Sequence, residues 1–110
     1  MKCQIYLIGN AGILLVVERE VFLIDGLYSA RGTGFHTSPI PEKIYQNLFG
    51  KKGKLPRPDY LMFSHSHFDH LSEKLLCSYL SSHWPKAVFL PFEGDSGYET
   101  CRRIMRKKQI

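Results

Sequence analysis

Three histidines and an aspartate crowd into the run Ser64-His65-Ser66-His67-Phe68-Asp69-His70. Imidazole and carboxylate groups are the ligands that a borderline cation such as zinc prefers, so the chemistry suggested by this run is metal binding. In extended backbone, side chains two residues apart point the same way. His65 and His67 can therefore close on one ion as the chain turns, which leaves Asp69 and His70 for a second. A lone histidine would be an ordinary structural residue, but four ligand-type side chains at this spacing, after a strand and before a helix, form a specific pattern. Phe68 within the run reads as a packing anchor rather than a substrate contact. His36 and His83 have no such partners and read as surface or helix-end residues.

The elements that must position this run can be read from the apolar periodicity. Tyr60 to Phe63 is a short continuous apolar stretch, expected as a strand buried on both faces, and the histidines begin at its carboxyl end. After them Ser72 is a helix N-cap, with Leu75, Leu76, Tyr79 and Leu80 on one stripe and Pro85 past the exit. Upstream, Gln4 to Ile8, Ile13 to Val17 and Val21 to Ile24 are three strands in a meander, joined by Gly-Asn-Ala-Gly and by a polar turn at Arg19-Glu20. Leu27 to Gly34 is expected as a surface loop. A short helix starts near Pro41, carries Ile44 and Leu48 on one face and stops at Gly50. Ala87 to Leu90 is expected as a further buried strand, followed by a helix from about Ser96 with Tyr98, Cys101 and Met105 inward. The pattern is α/β, an N-terminal β-meander followed by alternating helices and strands.

With 110 residues, 44% hydrophobic and 23% charged, the chain fits one soluble globular domain with one core. The net charge of +5 is concentrated in Lys51, Lys52, Lys54 and Arg57 and in Arg102, Arg103, Arg106, Lys107 and Lys108. These clusters admit an anionic or nucleic-acid partner, or are simply solvated faces. Cys3, Cys77 and Cys101 are odd in number and lack C-x-x-C spacing, which argues against a disulfide framework and a thiolate zinc site and fits a reducing cytoplasm. Gly9, Asn10, Gly12 and Glu18 interrupt the apolar N-terminus, against a signal peptide, and no stretch is long enough to span a bilayer.

The H-x-H-x-D-H of His65 to His70 resembles the signature of the metallo-β-lactamase superfamily, and the early strands with Leu23-Ile24-Asp25-Gly26 resemble the meander and strand-end aspartate that precede it there. Gly-Asn-Ala-Gly followed by Ile-Leu-Leu-Val-Val looks closer to the branch of lactonases, phosphodiesterases and tRNA-processing nucleases than to the antibiotic-degrading branch. The resemblance implies the first half of an αββα sandwich. It also implies two zinc ions, with iron or manganese as alternatives, His65 and His67 on the first and Asp69 and His70 on the second. In such a site a metal-bound hydroxide is the nucleophile, and Asp69 can also accept or relay a proton. Asp25 would orient the motif loop through hydrogen bonds; the other reading is a turn-forming aspartate before Gly26.

Members of that superfamily are about twice as long and supply a further histidine, a bridging aspartate and a final histidine after the motif. Glu93 and Asp95 are the downstream carboxylate candidates between the last strand and the last helix, and they follow the strand too closely for the bridging position. The resemblance thus implies the N-terminal half of a longer hydrolase, truncated after the motif, or a protein completed by a second chain. One face of the sheet is expected to lack a partner, which favours self-association. The activity implied is hydrolysis of an ester, lactone or phosphodiester; a tRNA-processing type of nuclease and a non-catalytic metal-binding or interaction module are the alternatives.

Overall fold

The structure is a computed structural model, and it describes residues 2–32, 35, 36, 38–50, 54–91 and 98–110. Lys51 and Lys52, Glu93 and Asp95, and the expected helix start at Ser96 lie outside the described residues.

Strands β1 (Cys3–Gly9), β2 (Gly12–Val17) and β3 (Glu20–Ile24) form the meander. Its first turn is Asn10-Ala11, with Asn10 at φ 49°, and its second is Glu18-Arg19, one residue earlier than expected, with Glu18 at φ 56°. A short ribbon of β4 (Arg31–Gly32) and β5 (Phe35–His36) follows, then α1 (Glu42–Phe49), β6 (Tyr60–Met62), α2 (Glu73–Ser82), β7 (Ala87–Phe89) and α3 (Glu99–Lys108). Five strands make one mixed sheet in the order β1-β2-β3-β6-β7. The meander pairs are antiparallel, while β3 with β6 and β6 with β7 run parallel. Parallel neighbours need a crossover between them, and α1 and α2 supply the two crossovers.

The registers sort the sheet into two faces, because directly opposed residues point to the same side. Ile8, Leu14, Val21, Leu23 and Leu61 share the face that joins Leu48, Leu71, Leu76, Tyr79, Leu80 and Cys101 in the core. All three helices contribute to that core, so they cover this one face. The opposite face is also apolar: Ile5 and Leu7, Ile13 and Leu15, Phe22 and Ile24, Tyr60 and Met62, and Phe89 align across it, and none of them packs against the core. Phe22 stacks on Tyr60 with centroids 5.1 Å apart, and Tyr60 leans toward Phe89.

Three expectations require correction. Leu27 and Tyr28, expected in a surface loop, are buried in the interior, where the Leu27 carbonyl accepts the Ser72 N–H and the Tyr28 hydroxyl donates to the Ser38 carbonyl. In β6 only Leu61 is buried, and in β7 Phe89 is 51% exposed, because no layer of the described residues covers the second face of the sheet. Cys77 and Cys101 form a disulfide, joining α2 to α3 across a Cα separation of 5.2 Å, whereas Cys3 is free and exposed. Spacing along the chain is blind to this pair, since helix packing brings together residues 24 positions apart. The cysteine argument for a reducing compartment falls with it. No described helix is long and apolar enough to cross a membrane.

Candidate metal centre

Parallel pairing of β3 with β6 puts both strand ends on one edge of the sheet, the edge where α/β sheets commonly hold ligands. Ile24 is opposite Met62, and the Asp25 N–H donates to the Met62 carbonyl at 3.0 Å, extending the ladder one step past each strand. Asp25 is thereby set against Ser64, the residue that opens the motif. The β1–β2 turn arrives at the same edge, where the Asn10 side-chain amide donates to the Asp69 carbonyl at 2.9 Å. The loop after β3 also grips the motif, with the Ser29 N–H donating to the Phe68 carbonyl at 2.8 Å. Phe68 itself is half-buried.

Asp25 is the centre of the polar network. It is 4% exposed and adopts φ 50°, a left-handed conformation that aspartate tolerates better than most residues. Its Oδ1 accepts the Ser64 N–H at 2.7 Å, and its Oδ2 accepts the Ser64 hydroxyl at 2.6 Å and contacts His70 Nδ1 at 2.8 Å. A carboxylate is acceptor-only, so His70 donates from Nδ1, and in its neutral form the lone pair is then on Nε2. The Ser64 hydroxyl, its proton given to Asp25, accepts from His65 Nδ1 at 3.1 Å, which frees Nε2 of His65 in the same way. Orientation by a carboxylate on the far nitrogen is the usual support of a metal-ligating histidine.

His65, Asp69 and His70 come together, each offering a ligand atom within 4.8 Å of the others. The His65 and His70 rings lie 3.8 Å apart, and Asp69 Oδ2 is 3.7 Å from His70 Nε2. His67 stands outside this group: it is exposed, with its ring edge-on to His65 at 4.7 Å. The grouping differs from the pairing implied by the resemblance, because the one-turn bend that donates His70 N–H and Leu71 N–H to the His67 carbonyl brings Asp69 and His70 back beside His65. Two imidazoles and one carboxylate around an open position form a donor set that fits a catalytic zinc ion.

Asp25 bonds to Ser64 and His70, and two groups that the sequence did not single out, Ser64 and Asn10, join the site. Ser64 had a signal, being the polar residue at a strand end facing a strand-end aspartate. Asn10 had none beyond its place in a turn. His83 closes α2, its ring stacked on Tyr79 at 4.1 Å, and lines a cleft of about 330 Å³ with Phe49, Arg57 and Trp84, remote from the histidine cluster. For His36 only its place in β5 is described. No family model and no curated protein matches this chain.

Proposed function

We propose that this chain carries the metal half-site of a metallo-β-lactamase-like hydrolase acting on an ester, lactone or phosphodiester. The observation that carries the reading is the group of His65, Asp69 and His70 at a parallel strand edge, with Nδ1 of His70 held by buried Asp25. His65, Asp69 and His70 would hold a zinc ion, and His67 would serve a second ion with ligands from outside the described residues. A bound zinc ion supplies an acidified water and polarises the scissile carbonyl or phosphoryl group. The chain's own contribution is to fix both imidazoles by their Nδ1 atoms and to place the Asp69 carboxylate beside them as a proton acceptor. A sheet with helices on one side and an apolar bare side is also what half of an αββα sandwich would be.

The test is zinc retention by the oxidised chain under non-reducing conditions, followed by an ester, lactone and phosphodiester panel. About one equivalent should be retained, and His70→Ala and Asp69→Asn should each release it while His36→Ala does not. Absence of retained zinc in folded protein overturns the metal site, and retained zinc without turnover leaves a non-catalytic metal module. A second reading, a nuclease, is favoured by α3, where Arg103, Arg106 and Lys107 are exposed on one helix. RNA affinity that is insensitive to added salt would exclude it.

A further inference from the structure

A second set of ligand-type side chains lies where α2 meets α3, apart from the histidine cluster. Glu73 and Cys77 are one helical turn apart on α2 and therefore share a face. Cys101 faces them from the first turns of α3, and the three ligand atoms lie within 4.8 Å of one another. Exposure is graded through the set: Cys101 is fully buried, Cys77 is half-buried and Glu73 is open to solvent. A cavity of about 370 Å³, lined by Glu73, Lys74, Cys77 and Thr100, opens at this point and gives a small ion a path to the sulfurs.

We propose that Glu73, Cys77 and Cys101 form a second metal site in the reduced chain, selective for a thiophilic ion such as zinc, and that their disulfide is the oxidised, metal-free state of the same site. Two thiolates and a carboxylate leave one open position in a tetrahedral set. The Cα separation of 5.2 Å allows both sulfurs to reach one ion, at the usual zinc–sulfur length of about 2.3 Å. A phosphine with one water molecule, or a pair of thiols, supplies two electrons and two protons, the S–S bond breaks, and each sulfur takes a proton; the phosphine leaves as its oxide, carrying the water's oxygen, or the thiols leave as their own disulfide. The ion then displaces the two protons as it binds. Either bond set ties α3 to α2, so the helix pair stays docked in both states. The site stands or falls independently of the histidine centre, which contains no sulfur.

The experiment uses the full chain with Cys3→Ser, reduced by a phosphine that binds metal weakly, with Co²⁺ as the spectroscopic stand-in for zinc. The expected result is an intense near-ultraviolet thiolate-to-cobalt charge-transfer band that saturates by about two equivalents, one of them taken by the histidine centre, and is bleached by Zn²⁺. His and Asp ligands alone cannot produce that band. Cys77→Ser should abolish it, and Glu73→Gln should weaken cobalt binding by roughly tenfold or more, while the oxidised chain should show no band. These variants sit at half-buried and exposed positions, so they avoid the folding risk of replacing buried Cys101. A reduced chain that keeps its circular dichroism but shows no charge-transfer band overturns the site, as does a band that survives Cys77→Ser.

Discussion

At the scale of single residues, the candidate site depends on one buried carboxylate more than on any ligand. Asp25 accepts two hydrogen bonds from Ser64 and holds His70 from a position almost without solvent. Asp25→Ala strands these donors, so it should lower stability by about 3 kcal/mol in chemical denaturation. Asp25→Asn tolerates the same backbone conformation and should leave the fold intact, but an amide presents one acceptor oxygen where the carboxylate presents two. Zinc affinity measured by competition with a chelator should then fall on the order of 10- to 100-fold; an unchanged affinity would show that His70 is oriented by something else. His83 gives a pH signature away from the metal ligands. Burial holds its imidazole below the ordinary value of 6.5; the Tyr79 carbonyl partly opposes this, and the charges of Arg57 and Lys108 add to it. A depressed folded pKa means that the neutral ring's contribution is full above pH 6.5 and is lost as pH falls through the lower folded value. Thermal melts should show that loss, and His83→Phe should flatten it over the same window. Of this candidate site, the ligand-type side chains stand out in the sequence by type and spacing. Their grouping was not, because a bend in the motif, rather than strand alternation, decides which side chains meet.

At the scale of elements, the strands of the five-stranded sheet and the helices were legible from apolar patterning and local start or stop signals, whereas the β4–β5 ribbon begins inside the segment expected as a surface loop. Ser72 caps α2 as its residue type suggests, its hydroxyl accepting the Leu75 N–H at 3.2 Å. Ser72→Ala should therefore cost about 1 kcal/mol in a urea melt, and a neutral result would mean that packing alone fixes the helix start. What could not be read was how elements lie against one another. Leu27 and Tyr28 look like a loop by composition, yet they are buried because the chain after β3 turns inward beneath the motif. The Cys77–Cys101 pair is likewise a product of helix docking. Gly12 shows the same dependence between elements. A Cβ at this position would sit 2.8 Å from the Asp25 carbonyl oxygen, so the hairpin and the end of β3 approach through a residue without a side chain. Gly12→Ala should push the Asp25 backbone away, lowering stability by about 1–3 kcal/mol and loosening zinc in the same variant. Stability loss with zinc affinity intact would place the contact outside the site's support.

At the scale of the whole molecule, compactness and coverage come apart. The radius of gyration is 13.5 Å, close to the roughly 13 Å expected for a compact domain of this length, so the chain has collapsed around its one core. The helices nevertheless leave the second sheet face bare, with Ile5 62%, Leu7 79% and Phe89 51% exposed and an aromatic row between them. An apolar area of this kind is uncommon on a soluble monomer, and β1 adds the unpaired backbone groups of an edge strand. The open face and the edge act together, since Ile5 and Leu7 lie on that edge strand. The chain as it stands should sediment as a concentration-dependent mixture larger than a monomer and bind an environment-sensitive apolar dye. Leu7→Lys should shift it toward monomer with little change in melting temperature, because the replaced side chain is already in water. The matched control is Leu14→Lys on the opposite face, where Leu14 is fully buried and the same charge should unfold the domain. If Leu7→Lys instead destabilised the fold while leaving association untouched, the contacts between chains would have to run through another surface, and the bare sheet would owe its tolerance in water to something other than association.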